Sequence, residues 1–310
     1  MAQTIDDIEV ILVNDCGTDG SFDKAKKYVK GLQCGKSFVF VESDKNQGPG
    51  LARNKGITKA TGEYVAFVDS DDMVDQQYCE LLYNAAKAVN ADLAFCNAQK
   101  IKRGAVEVLK NPQIESGVFS IEKKKYFLTH YISLFWTFLY RRQLIIDNGI
   151  EFPPERSAED SYFLTCCILQ ARTISSVQKN LYSYIIHEAS LSQKANSNRY
   201  KDKVSSFIKL CNYAQRVDLY NTFKDELDFI FIKKAILVSA IISCNIRAPF
   251  RSIVSGLYKT LTEMVPDYRK NIYYAKSLST RFAVNVIRIS PRISKCIIIM
   301  YKAISNRMIN

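Results

Sequence analysis

At 310 residues and 47% hydrophobic, the chain has apolar residues enough for a full core and length enough for two domains, which excludes a disordered polypeptide. Its formal net charge of +12 is unevenly spread, because nine Lys or Arg and no acidic residue follow Asp267. Mixed as they are with Ile, Val and Phe, these cations suit an anionic membrane surface better than a nucleic-acid groove; a solvated helix face with a charge bias is the plainer alternative.

Nine cysteines at irregular spacing, without a C-x-x-C pair and with only two histidines, argue against a structural zinc site and a disulfide framework, and fit a reducing cytoplasm. The first twelve residues, "MAQTIDDIEVIL", carry acids where a secretory leader needs basic and then apolar residues, so no leader is expected.

In chain order, "IEVILV" at 8–13 is a β-branched run that ends at Asn14, Asp15, Cys16 and Gly17, as a buried strand leaving a sheet would. A helix is predicted over 21–32, a second strand over "SFVFVE" at 37–42, then a glycine-rich turn into a helix closed by Gly62, and a third strand in "YVAFVD". This β-α-β-α-β order predicts an α/β fold with a mainly parallel sheet covered by helices on both faces.

Ligands of such sheets bind beyond the carboxyl ends of the strands, where Asp15 and Asp69 fall. The stretch "YVAFVDSDD" drives a buried strand into three carboxylates, which repel one another unless a cation or hydrogen-bond donors compensate. A divalent metal is one natural partner. The other reading makes Asp71, Asp72 and Asp75 the acidic start of a helix over 75–89.

A further strand is predicted at 91–98, a polar segment to about Ser120, and helix over 121–149 with an aromatic cluster that includes Trp136 and Tyr140. "FPPERSAEDSYFLTCCILQA" reads as a loop entering an apolar helix, and "LYSYIIHEASLS" as a strand and turn. From 199 onward only helices are expected. Lys233 and Lys234 near the middle of the apolar stretch 229–246 make it a buried or interfacial helix, not a membrane span.

Taken together, "VNDCGTDGS", "NQGPGLARNKGITKATGEYVAFVDSDD", "SAEDSYF" and "YSYIIHEASLS" resemble the family 2 glycosyltransferases of the GT-A fold over roughly residues 3–193. The resemblance implies a Rossmann-like GT-A domain over 1–198, with a nucleotide-binding half at about 1–120 and an acceptor half at about 121–198. A helical, membrane-associating region at 199–310 would follow.

It also implies an inverting, single-displacement transfer from a nucleotide diphosphate sugar, commonly UDP-linked, with Mg²⁺ or Mn²⁺ on the diphosphate. The acceptor would be a saccharide or lipid-linked sugar in cell-surface polysaccharide synthesis, and the place of work the inner face of the cell membrane. No nucleic-acid partner is implied.

Carried over by position, Asp160 is the base that takes the acceptor proton, and Glu159 supports it on the acceptor side. Asp15 faces the base ring, Arg53 contacts the nucleotide, Asp69 faces the ribose or base, and Asp71 holds the metal. His187 is a further metal or phosphate contact. Trp136 is a candidate acceptor-side wall, though core packing competes for it, and Ser157-x-x-Asp160 also matches a helix cap. A phosphatase-type D-x-D-x-T loop is not met, since Met73 stands at the threonine position.

The family's opening strand, with its P-x-Y-N or P-x-F-N turn, has no counterpart in these residues. The resemblance puts that strand in the sheet interior, so two inner edges are expected to lack a neighbour and the base pocket to lack one wall. A shortened, non-catalytic remnant that binds a nucleotide or a partner is therefore the alternative to a working transferase.

Overall fold

The computed structural model describes residues 2–32, 36–186, 198–244 and 250–289. Two compact units divide the chain at Met1–Glu188 and Ala189–Asn310.

The first unit opens with strand β1 (Glu9–Asn14), helix α1 (Ser21–Lys30) and strand β2 (Ser37–Glu42). The β-branched residues of "EVILV" pair in parallel with "SFVFV", in register from Glu9 opposite Ser37 to Asn14 opposite Glu42. Helix α2 (Pro49–Lys59) follows, started by a proline in its first turn where the missing N–H costs nothing. It returns the chain to β3 (Tyr64–Ala66).

From β3 the chain passes β4 (Met73–Val74), α3 (Tyr78–Ala88), the ten-residue β5 (Leu93–Lys102), and two short strands, β6 (Ala105–Leu109) and β7 (Gly117–Val118). Helix α4 (Ile121–His130) is capped by Ser120, whose hydroxyl accepts the Lys123 N–H. A 3₁₀ turn (Phe135–Thr137), β8 (Phe138–Arg141), α5 (Arg142–Asp147), α6 (Glu159–Gln170) and β9 (Thr173–Ile185) complete the unit.

These strands form two separate ladders. One holds β1 and β2; the other has the order β3-β8-β5-β9-β4, with β6 on β5 and β7 on β9. In the larger sheet β3, β5 and β9 run the same way. Strand β8 lies reversed between β3 and β5, and β4 is antiparallel to β9. Among the described residues β1 pairs only with β2 and β3 only with β8, so each has a second edge without a ladder partner.

The helix expected over 121–149 is interrupted by a strand. "FLYR" at 138–141 is rich in aromatic and branched side chains and is hydrogen-bonded on both sides, with Tyr140 opposite Val65 of β3 and Leu93 of β5. The aromatic cluster is core: Phe127, Phe138 and Tyr140 are fully buried, and Phe67 meets Phe135, Tyr140, Phe152 and Phe163 at ring separations of 5.4–5.6 Å. Tyr126 is the exception, at 47% exposed.

The second unit is helical: α7 (Arg199–Arg216), α8 (Lys224–Ile230), a π-helical segment (Phe231–Leu237), α9 (Val238–Ser243), α10 (Phe250–Met264), α11 (Ile272–Lys276) and α12 (Leu278–Ile289). Buried apolar side chains run from Phe229 through Leu237, and Lys233 lies against the Phe229 ring at 5.2 Å, its pKa lowered by burial and by Lys234. Among the described residues no helix is long and apolar enough to cross a membrane.

Candidate active site

The site is built where β1 and β3 end. Beyond β1 the chain turns sharply, with Cys16 in the left-handed region at φ 63°. Here the Asp15 carboxylate accepts the backbone N–H groups of Gln47 (2.9 Å) and Gly48 (2.7 Å). These are donors at the N-terminal end of α2 that the helix itself leaves unpaired. The Asn46 side chain returns a bond to the Asp15 carbonyl at 2.9 Å. Gly48, with φ +94°, takes a conformation that a side chain would strain.

Helix α2 carries Arg53 into the middle of the site. The guanidinium bridges two carboxylates distant in sequence, Asp69 at 2.8 Å and Glu159 at 3.2 Å, and its flat face lies 4.3 Å from the Phe135 ring. Burial alone would pull the Arg53 pKa down, but the charges of Asp69, Glu159 and Asp160 outweigh it and raise it.

The loop that delivers Glu159 is clamped to α2. Asn54 exchanges hydrogen bonds with the Phe152 backbone in both directions, each at 2.8 Å, and Arg156 donates to the Asn46 side chain at 2.6 Å. Gly50 permits the close approach, since a Cβ there would lie 2.9 Å from the Pro153 carbonyl oxygen.

Glu159 and Asp160 open helix α6. The residue before them, Ala158, sits at φ 64° and no side chain caps the helix, so the capping arrangement suggested by Ser157-x-x-Asp160 does not form. Burial foremost, and then the Asp160 charge, push Glu159 up to about 7 against the opposing pull of Arg53. Asp160 is half-buried and accepts the Ser161 N–H at 2.6 Å.

The acidic turn after β3 resolves into distinct tasks. Asp69 is matched by Arg53, while Asp72 accepts the Tyr182 hydroxyl (2.8 Å) and the Ile185 N–H (2.9 Å). Burial, with the Asp69 and Asp71 charges adding to it, nonetheless raises the Asp72 pKa. Much of the repulsion expected from "DSDD" is therefore offset by protein donors. Asp71 is exposed.

No group of three or more ligand side chains is assembled among the described residues. A hard cation that shares a diphosphate needs only one or two protein carboxylates; in this turn Asp71 is exposed, while Asp69 already carries the Arg53 guanidinium.

Arg53 thus joins Asp69 and Glu159, Asp160 follows Glu159 at the start of α6, and Asp71 lies two residues after Asp69; Asp15, after β1 of the smaller ladder, is tied to the entry of α2 through Gln47 and Gly48. Trp136 is only 6% exposed, its ring stacked on Tyr182 at 3.9 Å. His187 lies outside the described residues. Sequence reasoning missed Tyr182, which besides holding Asp72 accepts the Asp69 N–H at 3.1 Å. It also missed Asn54 and Arg156; the glycines of "NQGPG" are the one visible hint of a distant segment of the chain, 152–159, packed close by.

Polar and charged side chains gathered beyond the strand ends of an α/β sheet mark the place where such folds bind their ligands. Comparison with known proteins gives the family. The model of the family "Glycosyl transferase family 2" matches residues 1–149. The cholesterol galactosyltransferase of Borreliella burgdorferi is 30% identical over 94% of this chain and 84% of its own length. The poly(ribitol-phosphate) beta-N-acetylglucosaminyltransferase TarS of Staphylococcus aureus strain Mu50 is 34% identical over 57% of this chain and 30% of its own length. A crystal structure of S. aureus TarS residues 1–349 in complex with UDP superposes with a TM-score of 0.64 at 20% identity, covering 93% of this chain and 84% of that one. The chain belongs to glycosyl transferase family 2 and has the GT-A fold.

Proposed function

We propose that this glycosyltransferase inverts the anomeric centre as it moves a sugar from UDP to a saccharide or lipid-linked acceptor of a cell-surface polymer, at an anionic membrane face. The observation that carries the reading is the Arg53 bridge, which joins the acidic turn after β3 to the start of α6 and so sets a donor-side carboxylate beside the Glu159-Asp160 pair. The UDP-bound TarS structure and the polymer named for that relative support the choice of donor and acceptor class.

In this reading Asp15 and Asp69 hold the nucleoside, Asp71 with Asp69 would hold Mg²⁺ or Mn²⁺, and Asp160 takes the proton of the attacking hydroxyl. A bound cation would offset the charge that develops on the departing diphosphate. Asp160 is suited to its task by position, half-buried at the start of α6 next to the Glu159 that Arg53 holds. Glu159, raised in pKa, is the poorer candidate for a standing anion. Retention of the full carboxylate set favours a working enzyme over a nucleotide-binding remnant.

Calorimetric titration of UDP with and without Mn²⁺, together with a sugar-transfer assay, tests the reading. UDP is expected to bind more tightly with the metal, and Asp71→Ala to lose that enhancement. Asp160→Asn should still bind UDP while transfer falls on the order of a hundredfold or more. Absence of UDP binding, or undiminished transfer by Asp160→Asn, would refute it.

A further inference from the structure

Helix α12 has two sharply different faces. Thr280, Ala283, Val284 and Ile287, at helical spacing, are at most 2% exposed and form its inner side. At about 100° per residue the opposite side carries Leu278, Phe282 and Asn285, with Arg281 and Arg288 along one flank. Leu278 is 76% and Phe282 56% exposed, and both arginines are exposed.

The neighbouring elements continue this chemistry. Ile272 of α11 is 48% exposed, and Arg269, Lys270 and Lys276 are exposed around it. From 268 to 289 the chain has five cations and no acid.

A helix that meets only water places polar residues opposite its buried stripe. Here the outward side instead presents large apolar side chains flanked by cations, the composition of a helix lying in a lipid interface. We infer that Leu278, Phe282 and Ile272, with Arg269, Lys276, Arg281 and Arg288, form a docking face for an anionic lipid surface. The inference rests on the membrane-facing part of the function proposed above and names the residues that would carry it. Charge selects the occupant. A second copy of this face would set arginine against arginine, whereas an anionic headgroup layer complements its arginines and Lys276; Lys270 is paired with Asp267 at 3.1 Å.

The test is sedimentation of the full chain with phosphatidylglycerol-containing vesicles and with pure phosphatidylcholine vesicles. The same samples are titrated with UDP. Binding to the anionic vesicles is expected, weakened by salt and by at least about tenfold in Leu278→Ser combined with Phe282→Ser. Arg281→Glu combined with Arg288→Glu should weaken it by a similar factor.

Binding of both variants at the wild-type level, or equal binding to the two vesicle types, overturns the inference. So does self-association that the Leu278→Ser, Phe282→Ser variant abolishes while wild type ignores vesicles. UDP binding reads the proposed donor separately: its absence with vesicle binding intact refutes the UDP-donor reading, and its presence without vesicle binding refutes the docking face.

Discussion

The Arg53 guanidinium serves two carboxylates that differ in character. Asp69 is a third exposed and meets the guanidinium at 2.8 Å, while the Glu159 side chain is 10% exposed and bonds at 3.2 Å. Burial of Glu159 beside Asp160 therefore weighs more heavily on its charged form than the single bond to Arg53 returns. The sign follows directly. With its pKa at about 7 in the folded chain and 4.5 as the ordinary value, Glu159 holds a proton in the folded state that the unfolded state has released. Its contribution to stability is full at low pH and is lost as pH rises through that window. Glu159→Gln should flatten this dependence and gain on wild type by on the order of 2 kcal/mol between pH 5 and pH 8, as read by chemical denaturation at both. An unchanged pH slope would show that the carboxylate is ionised throughout.

Tyr182 illustrates why single residues of this kind escape a reading of the sequence. In "LYSYIIH" it is an ordinary strand tyrosine, and its role depends on β9 lying close enough for its hydroxyl to reach both the Asp69 N–H and the Asp72 carboxylate. Tyr182→Phe removes the donor to Asp72 and the acceptor of Asp69 together, leaving a partly buried carboxylate short of one bond. A loss of about 1–3 kcal/mol and weaker UDP binding are expected, measurable by thermal unfolding and calorimetry.

At the scale of elements, the clamp between α2 and the 152–159 loop sets the position of the α6 start. Gly50 is the pivot of that contact, because the nearest obstacles to a side chain are the Pro153 carbonyl oxygen, the Phe152 Cβ at 3.1 Å and the Glu159 Cγ at 3.2 Å. Backbone cannot swing aside as a flexible side chain can. Gly50→Ala is expected to cost about 1–3 kcal/mol and, by shifting Glu159 and Asp160, to lower the transfer rate more than UDP affinity. Parallel assays of kcat and UDP binding would check this. Equal loss in both would show that the clamp supports the nucleotide side instead.

Elements also mark the limit of what was legible. Strands β1, β2 and β5 announce themselves because β-branched runs bounded by turn residues have few other uses. Strand β8 does not. Its four residues follow a helix and a 3₁₀ turn rich in the same aromatics, and only pairing with β3 and β5, distant in sequence, makes it a strand. The acids at the strand ends were visible for the opposite reason: charge directly after an apolar run is a local signal. Their division of labour, with Arg53 on Asp69 and Tyr182 on Asp72, is tertiary and was not.

Across the first unit, the division of its strands into two ladders has a thermodynamic consequence. A two-stranded sheet alone is marginal in water, and β1 with β2 is joined to the rest through α2, the Glu9 carboxylate on Thr61, and Asp15 on Gln47 and Gly48. The amides of β1 and β2 should therefore exchange with solvent faster than those of β5 and β9. A ligand held at once by Asp15 and Asp69 would span both ladders, and every contact it makes only when both are formed adds to their cooperativity. Saturating UDP with Mn²⁺ is then expected to slow exchange in β1 and β2 most, and to merge a broad melting profile into a sharper one at higher temperature. A substrate held that way would serve as a piece of the architecture, and the enzyme at work would be a more completely folded body than the enzyme at rest.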